Sequence, residues 1–152
     1  MYRMAITTMC CPDPSIKKDR CVKMAIVHDL AEAIVGDITP LDPVSKPEKH
    51  RREFSTMEYL TRDLLAPISK TIADEFLGLF EEYEAGETPE AVFVKDIDCY
   101  ELVLQTVEYE KRYGKDLSEF LHVAKRVKTA YVKAWIEEAL AERKGNHKVD
   151  EL

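Results

Sequence analysis

Between Ala25 and Val35 the chain reads AIVHDLAEAIV, and eight of these eleven residues are apolar. They fall all the way round a helix rather than along one stripe, the pattern of a helix buried on every side. Whatever fold this chain adopts must therefore place His28, Asp29 and Glu32 deep among apolar neighbours. On a regular helix positions 28 and 32 share a face one turn apart, and 29 and 32 are near neighbours. Buried acids and imidazoles without partners are costly. A divalent cation offsets that cost most directly, because it neutralises the acids and takes a neutral imidazole as ligand. The competing reading is a dry polar cluster with His28 hydrogen-bonded to an acid, and the spacing alone leaves the two open.

The rest of the chain reads as helices separated by turn residues. Met1–Met9 has Met1, Met4, Ala5 and Met9 on one side and ends at Pro12-Asp13-Pro14. The next helix is expected from Ser15 or Asp19 to Val35, with Gly36 as a left-handed C-terminal residue. Ser45-Lys46-Pro47-Glu48 has capping-box spacing and opens a helix to about Leu65, which Pro67 breaks. A further helix is expected from Ile68 to Glu84. Thr88-Pro89-Glu90 supplies a cap, a first-turn proline and an acid at the positive end of the dipole, starting a helix to Tyr113. Asp116 to Lys144 forms one long helix or two broken ones, fraying after Gly145. No strand-like alternation is found. The expectation is an all-α bundle of about six helices, with residues 1–145 as a single domain and 146–152 as a frayed tail.

A second acidic candidate lies in the Thr88 helix. Asp98 has Val94 and Leu102 one turn to either side and Ile97 beside it, so it is expected to point inward. Asp96, next to Lys95, is expected to reach solvent more easily. A third group, Gly36-Asp37-Ile38, follows the buried helix and could overhang the mouth of a site.

Composition narrows the function classes. A net charge of −7 argues against nonspecific nucleic-acid or anionic-membrane binding, which a basic face supplies. No run approaches a membrane span, and no signal peptide is evident. The cysteines 10, 11, 21 and 99 lack C-x-x-C spacing and read as reduced thiols in a cytoplasmic protein, with the nucleus also open. Lys49-His50-Arg51-Arg52 reads as a solvated helix face before a phosphate-attracting one. Trp135 reads as packing or a dimer contact, and Tyr83 and Tyr100 as core or rim.

The segment Cys21 to Ile38, with its H-D-x-x-E-x-x-x-G-D pattern, together with Lys49 to Glu53, Glu81 to Glu84 and the Lys95-x-x-Asp98 pair, resembles the HD-domain 5′-deoxynucleotidases, more narrowly the HD domain-containing protein 2 group. The likeness covers Met1 to Glu110 well and the last helix loosely. It implies an HD-domain helical bundle, usually homodimeric, that removes the 5′-phosphate from deoxynucleoside monophosphates. It implies a first metal held by a His, the doublet His28 and Asp29, and the distant Asp98. Glu32 matches the acid near the attacking water, and Glu32, Asp37 and the backbone oxygen of Ile38 would help hold a second divalent ion. Mn²⁺, Co²⁺ and Mg²⁺ all fit such donors; Fe²⁺ does too. No substrate-binding residue is identified.

In that family the first His precedes a segment like Met1-Tyr2-Arg3-Met4-Ala5, and no other His here sits at a matching position. With the uncapped first helix, this leads to the expectation that the N-terminal part of the family domain is missing and that activity is impaired. The alternative is a catalytically silent HD-fold helical module that dimerises or binds nucleotide.

Overall fold

The computed structural model describes residues 1–147, with side chains through Arg143; the expected tail beyond His147 lies outside the described residues. Among them there are seven α-helices and no strand: α1 (Tyr2–Met9), α2 (Lys18–Val27), α3 (Glu32–Val35), α4 (Lys46–Tyr59), α5 (Lys70–Ala85), α6 (Pro89–Tyr113) and α7 (Ala130–His147). A π-helical stretch, Leu60–Leu65, prolongs α4, and a 3₁₀ segment, Ser118–Arg126, precedes α7. The all-α expectation holds. The last region is broken, as one of its two readings had it, and α7 runs through Gly145 to His147.

Local sequence explains most boundaries. Ser45 Oγ accepts from the Glu48 amide and Thr88 Oγ1 from the Ala91 amide, each satisfying a free first-turn N–H. The capping box at Ser45 is only half made, because the Glu48 carboxylate turns to Arg51 and Arg52. Ser69 caps α5 in the same way through the Ile72 amide, so that helix starts at Lys70 rather than Ile68.

α2 lies at the centre, packed on α1, α5 and α6. Met24, Ala25, Met57, Phe93, Val94, Ile97 and Val103 are fully enclosed there; burial of each large side chain stabilises by roughly 1.5–3 kcal/mol. α1 is tied to α6 through Arg3, 2.6 Å from both Glu101 and Glu108.

Two corrections concern the central run. α2 ends at Val27, and His28–Ala31 form a tightened turn before the short α3. Here amides bond three residues back, Leu30 to Val27, Glu32 to Asp29 and Ile34 to Ala31, in place of the four-residue α pattern. Nor is the run buried on every side: Ile26 and Ile34 are about half exposed, at 51% and 56%. The centre of the run carries the burial while its outer flank faces solvent.

Asp96 also departs from expectation. Its side chain is buried, and it accepts from the Lys128 amide at 3.0 Å and the Thr129 amide at 2.7 Å. Three carboxylate–amide contacts to Lys128 and Thr129 fix the backbone that leads into α7. The neighbouring Lys95 gave no hint of this because the partners lie in a distant segment.

Glu110 pins the other end of α7. It receives Arg143 through two nitrogens at 2.5 and 3.0 Å and the Leu117 amide at 2.9 Å. The Arg143 guanidinium holds its carboxyl below the ordinary value of 4.5. A depressed carboxyl contributes stability that is whole above its unfolded pKa and is lost as pH falls through the folded value. Glu110→Gln should therefore lose about 1.5–3 kcal/mol at neutral pH, the scale of charge-assisted bonds. It should also lose part of its acid sensitivity below about pH 4.5, which denaturant unfolding at pH 7 and pH 3.5 would measure.

Candidate metal centre

The tightened turn sets the geometry of the site. With about three residues per turn, positions i and i+3 come together, and Asp29 acts on the Glu32 carboxyl. Gly36 then redirects the chain at φ 78°, ψ 164°, which is not the expected left-handed helical conformation but an extended region open essentially to glycine alone. Asp37 emerges exposed and Ile38 half-buried.

His28 is buried, 4% exposed. Its Nδ1 lies 3.1 Å from the Ala25 carbonyl oxygen, which can only accept, so Nδ1 carries the hydrogen. Nε2 then presents its lone pair. It faces Asp29 Oδ2 at 3.0 Å, and among the described residues this buried nitrogen has no hydrogen-bond partner of good geometry. Two electron-rich atoms do not rest 3.0 Å apart without a proton or cation between or beside them. Burial opposes protonation of the ring, but Asp29 and Asp98 outweigh it and move the His28 pKa upward. A metal ion meets the same demand: ligands about 2.1 Å from an octahedral ion stand about 3 Å apart at adjacent positions. In chemical type, a neutral imidazole nitrogen and a carboxylate are donors that a divalent ion accepts.

Asp98 joins from α6. Burial pushes its carboxyl upward, while His28 pulls it down. Between these residues stands Tyr83, whose ring centroid is 4.6 Å from that of His28 and whose hydroxyl lies 3.4 Å from Asp98 Oδ2. Burial raises the phenol far above its ordinary range, so it stays protonated and serves as donor. Lys95 Nζ covers the ring at 4.3 Å from its centroid. A side chain at Gly86, itself left-handed at φ 62°, would meet Lys95 Cε at 2.9 Å. The sequence reading placed Tyr83 in the core or rim; it is buried, but it braces two site residues. No local signal marks such a role.

His28, Asp29 and Asp98 lie near enough to shift one another's charge, though among the described residues no three His, Cys, Asp or Glu side chains close into a ligand group. Glu32 sits beside them. Burial first, then Asp29 and Asp37, push its carboxyl up to about 7. The Ile38 carbonyl, expected to face a second ion, instead accepts from Lys49 Nζ at 2.9 Å. The same ammonium is 3.4 Å from Glu53 Oε1 and 4.0 Å from Glu32 Oε1. The rest of that basic run is spent on the surface, His50 on Glu84 and both arginines on Glu48. Trp135 packs against Tyr100 and Tyr131, as expected. A separate cavity of about 430 Å³, lined by Glu58, Arg62, Lys70 and Leu77 among others, touches none of the residues named at the metal centre. No helix among the described residues is long and apolar enough to cross a membrane.

The profile of the HD domain matches residues 1–139. The 5′-deoxynucleotidase hdd1 of Schizosaccharomyces pombe is 51% identical over 146 residues, 94% of this chain and 73% of that protein. The 5′-deoxynucleotidase HDDC2 of Xenopus laevis is 51% identical over 118 residues, 76% of this chain and 57% of that protein. The solved structure of the HD domain-containing protein YGK1, which by sequence comparison is a protein of Saccharomyces cerevisiae, superposes with a TM-score of 0.78 at 36% identity, covering 96% of this chain and 76% of that one. A domain match over residues 1–139 and relatives up to 51% identical over most of the chain show that it belongs to the HD-domain family.

Proposed function

We propose that this chain is a metal-dependent phosphohydrolase that removes the 5′-phosphate from deoxynucleoside monophosphates. The observation that carries the metal-dependent part is the buried, unpartnered Nε2 of His28 facing the Asp29 carboxylate at 3.0 Å. The substrate class rests on the likeness to proteins named 5′-deoxynucleotidases.

In this reading His28, Asp29 and Asp98 hold the ion. A divalent ion there supplies an acidified water and a positive contact for a phosphate oxygen. Glu32, with a carboxyl raised to about 7, is placed to orient the attacking water and take its proton near neutral pH. Tyr83, kept as a donor, fixes the Asp98 carboxylate and, through ring contact, the plane of His28. Asp37, exposed after Gly36, is free to meet the sugar or, with Glu32 and the Ile38 carbonyl, a second cation. A homodimer belongs to the same reading, and Tyr2, Ile6 and Met9 leave an apolar stripe exposed on α1 for such a contact.

Within these 152 residues the first site has one imidazole and two carboxylates as donors. The test is phosphate release from dAMP and dUMP, against AMP and UMP, with Mn²⁺ or Co²⁺ added and then removed by chelator. Release that needs metal and favours the deoxy substrates supports the reading, and metal-independent release sinks it.

A further inference from the structure

Lys49 is the part of the basic run that does not serve the surface. Its stem is half-buried, and its ammonium donates to the Ile38 carbonyl at 2.9 Å. It stands 3.4 Å from Glu53 and 4.0 Å from Glu32, both largely enclosed, with side-chain exposures of 10% and 26%. These partners include two of the three groups that the proposed function assigns to a second divalent ion. A cation already tethered among a carbonyl and two carboxylates meets the electrostatic need that an incoming ion would meet.

We propose that Lys49 is a built-in competitor for the second divalent ion, occupying the Glu32 and Ile38 oxygens until the ion displaces it. The inference rests on the proposed metal-dependent reading, because it presupposes that these oxygens take a divalent cation. Ion binding then requires the Lys49 side chain to swing away, which the four-carbon stem permits without moving α4. Two positive charges cannot share oxygens this close in a half-buried setting without strong repulsion. The affinity of the second position is therefore set by how readily Lys49 leaves it, and the first position, held by His28, Asp29 and Asp98, is untouched.

The test is titration of the full chain with Mn²⁺ and with Mg²⁺, followed by calorimetry and Mn²⁺ paramagnetic resonance, for the native protein, Lys49→Met and Lys49→Arg. Lys49→Met keeps the stem and removes the charge; it should bind a second ion at least about tenfold more tightly, with the first ion unchanged. Lys49→Arg should behave like the native chain or bind the second ion more weakly. An unchanged or weaker second ion in Lys49→Met, with the first intact, overturns this inference alone and makes Lys49 a brace for the 36–39 loop. Loss of both ions in that variant reports a damaged fold, overturns the competitor role and leaves the first site to be judged on the native chain. No divalent binding to any of the three proteins overturns the competitor role and the metal-dependent reading together.

Discussion

Alanine in place of His28 should lower divalent-dependent phosphate release by at least about a hundredfold, since loss of groups merely supporting metal ligands already costs 10–100-fold. The change removes the nitrogen whose lone pair faces Asp29 at 3.0 Å. It also removes the ring that packs on Tyr83, so part of any stability loss is packing. His28→Gln separates the two effects, since it restores bulk and a carbonyl oxygen but not the imidazole. Added Mn²⁺ at high concentration should partly rescue the Gln variant and not the Ala variant. Phosphate release within a fewfold of native in both would remove His28 from the metal centre.

Glu32→Gln should show the other large effect, about 10²–10⁴-fold in kcat, the usual contribution of a positioned general base. The side chain keeps its shape and can still hydrogen-bond a water, but it cannot take a proton. In the metal-free chain the Glu32 carboxyl is raised from 4.5 to about 7 by burial and the neighbouring Asp29 and Asp37. The sign follows from linkage: a raised carboxyl makes the folded state hold more protons than the unfolded one, so this group costs stability as pH rises from about 4.5 through about 7. The Gln variant carries no such charge, so its metal-free form should gain stability relative to native at pH 7.5 and not at pH 4. Denaturant midpoints at the two values read this directly. An unchanged kcat together with an unchanged stability difference would take both the burial and the catalytic role from Glu32.

The helical class and most boundaries were legible because caps, prolines and glycines act locally. Ser45, Thr88 and Gly114 stop or start helices through bonds to residues within a turn. Asp98 could be assigned inward from its apolar neighbours on α6, and it lies close enough to His28 for each to shift the other's pKa. The break at His28–Ala31 was not legible: a switch from four-residue to three-residue bonding leaves no mark in residue type. Asp96 was misjudged for a similar reason, since its donors are backbone amides more than thirty residues away. Tyr83 carried no signal, because an aromatic on α5 reads as core whichever side chains it touches. Lys49 carried half of one, the i,i+4 spacing to Glu53, while its bond to the Ile38 carbonyl depends on how the loop after Gly36 folds back.

Anomalous diffraction at the manganese edge, from crystals of the native chain soaked in Mn²⁺, tests the central claim most directly. The account predicts a peak about 2–2.5 Å from His28 Nε2 and from carboxylate oxygens of Asp29 and Asp98. A fully occupied peak elsewhere with none there, or His28 Nε2 hydrogen-bonded to protein at saturating metal, would contradict it.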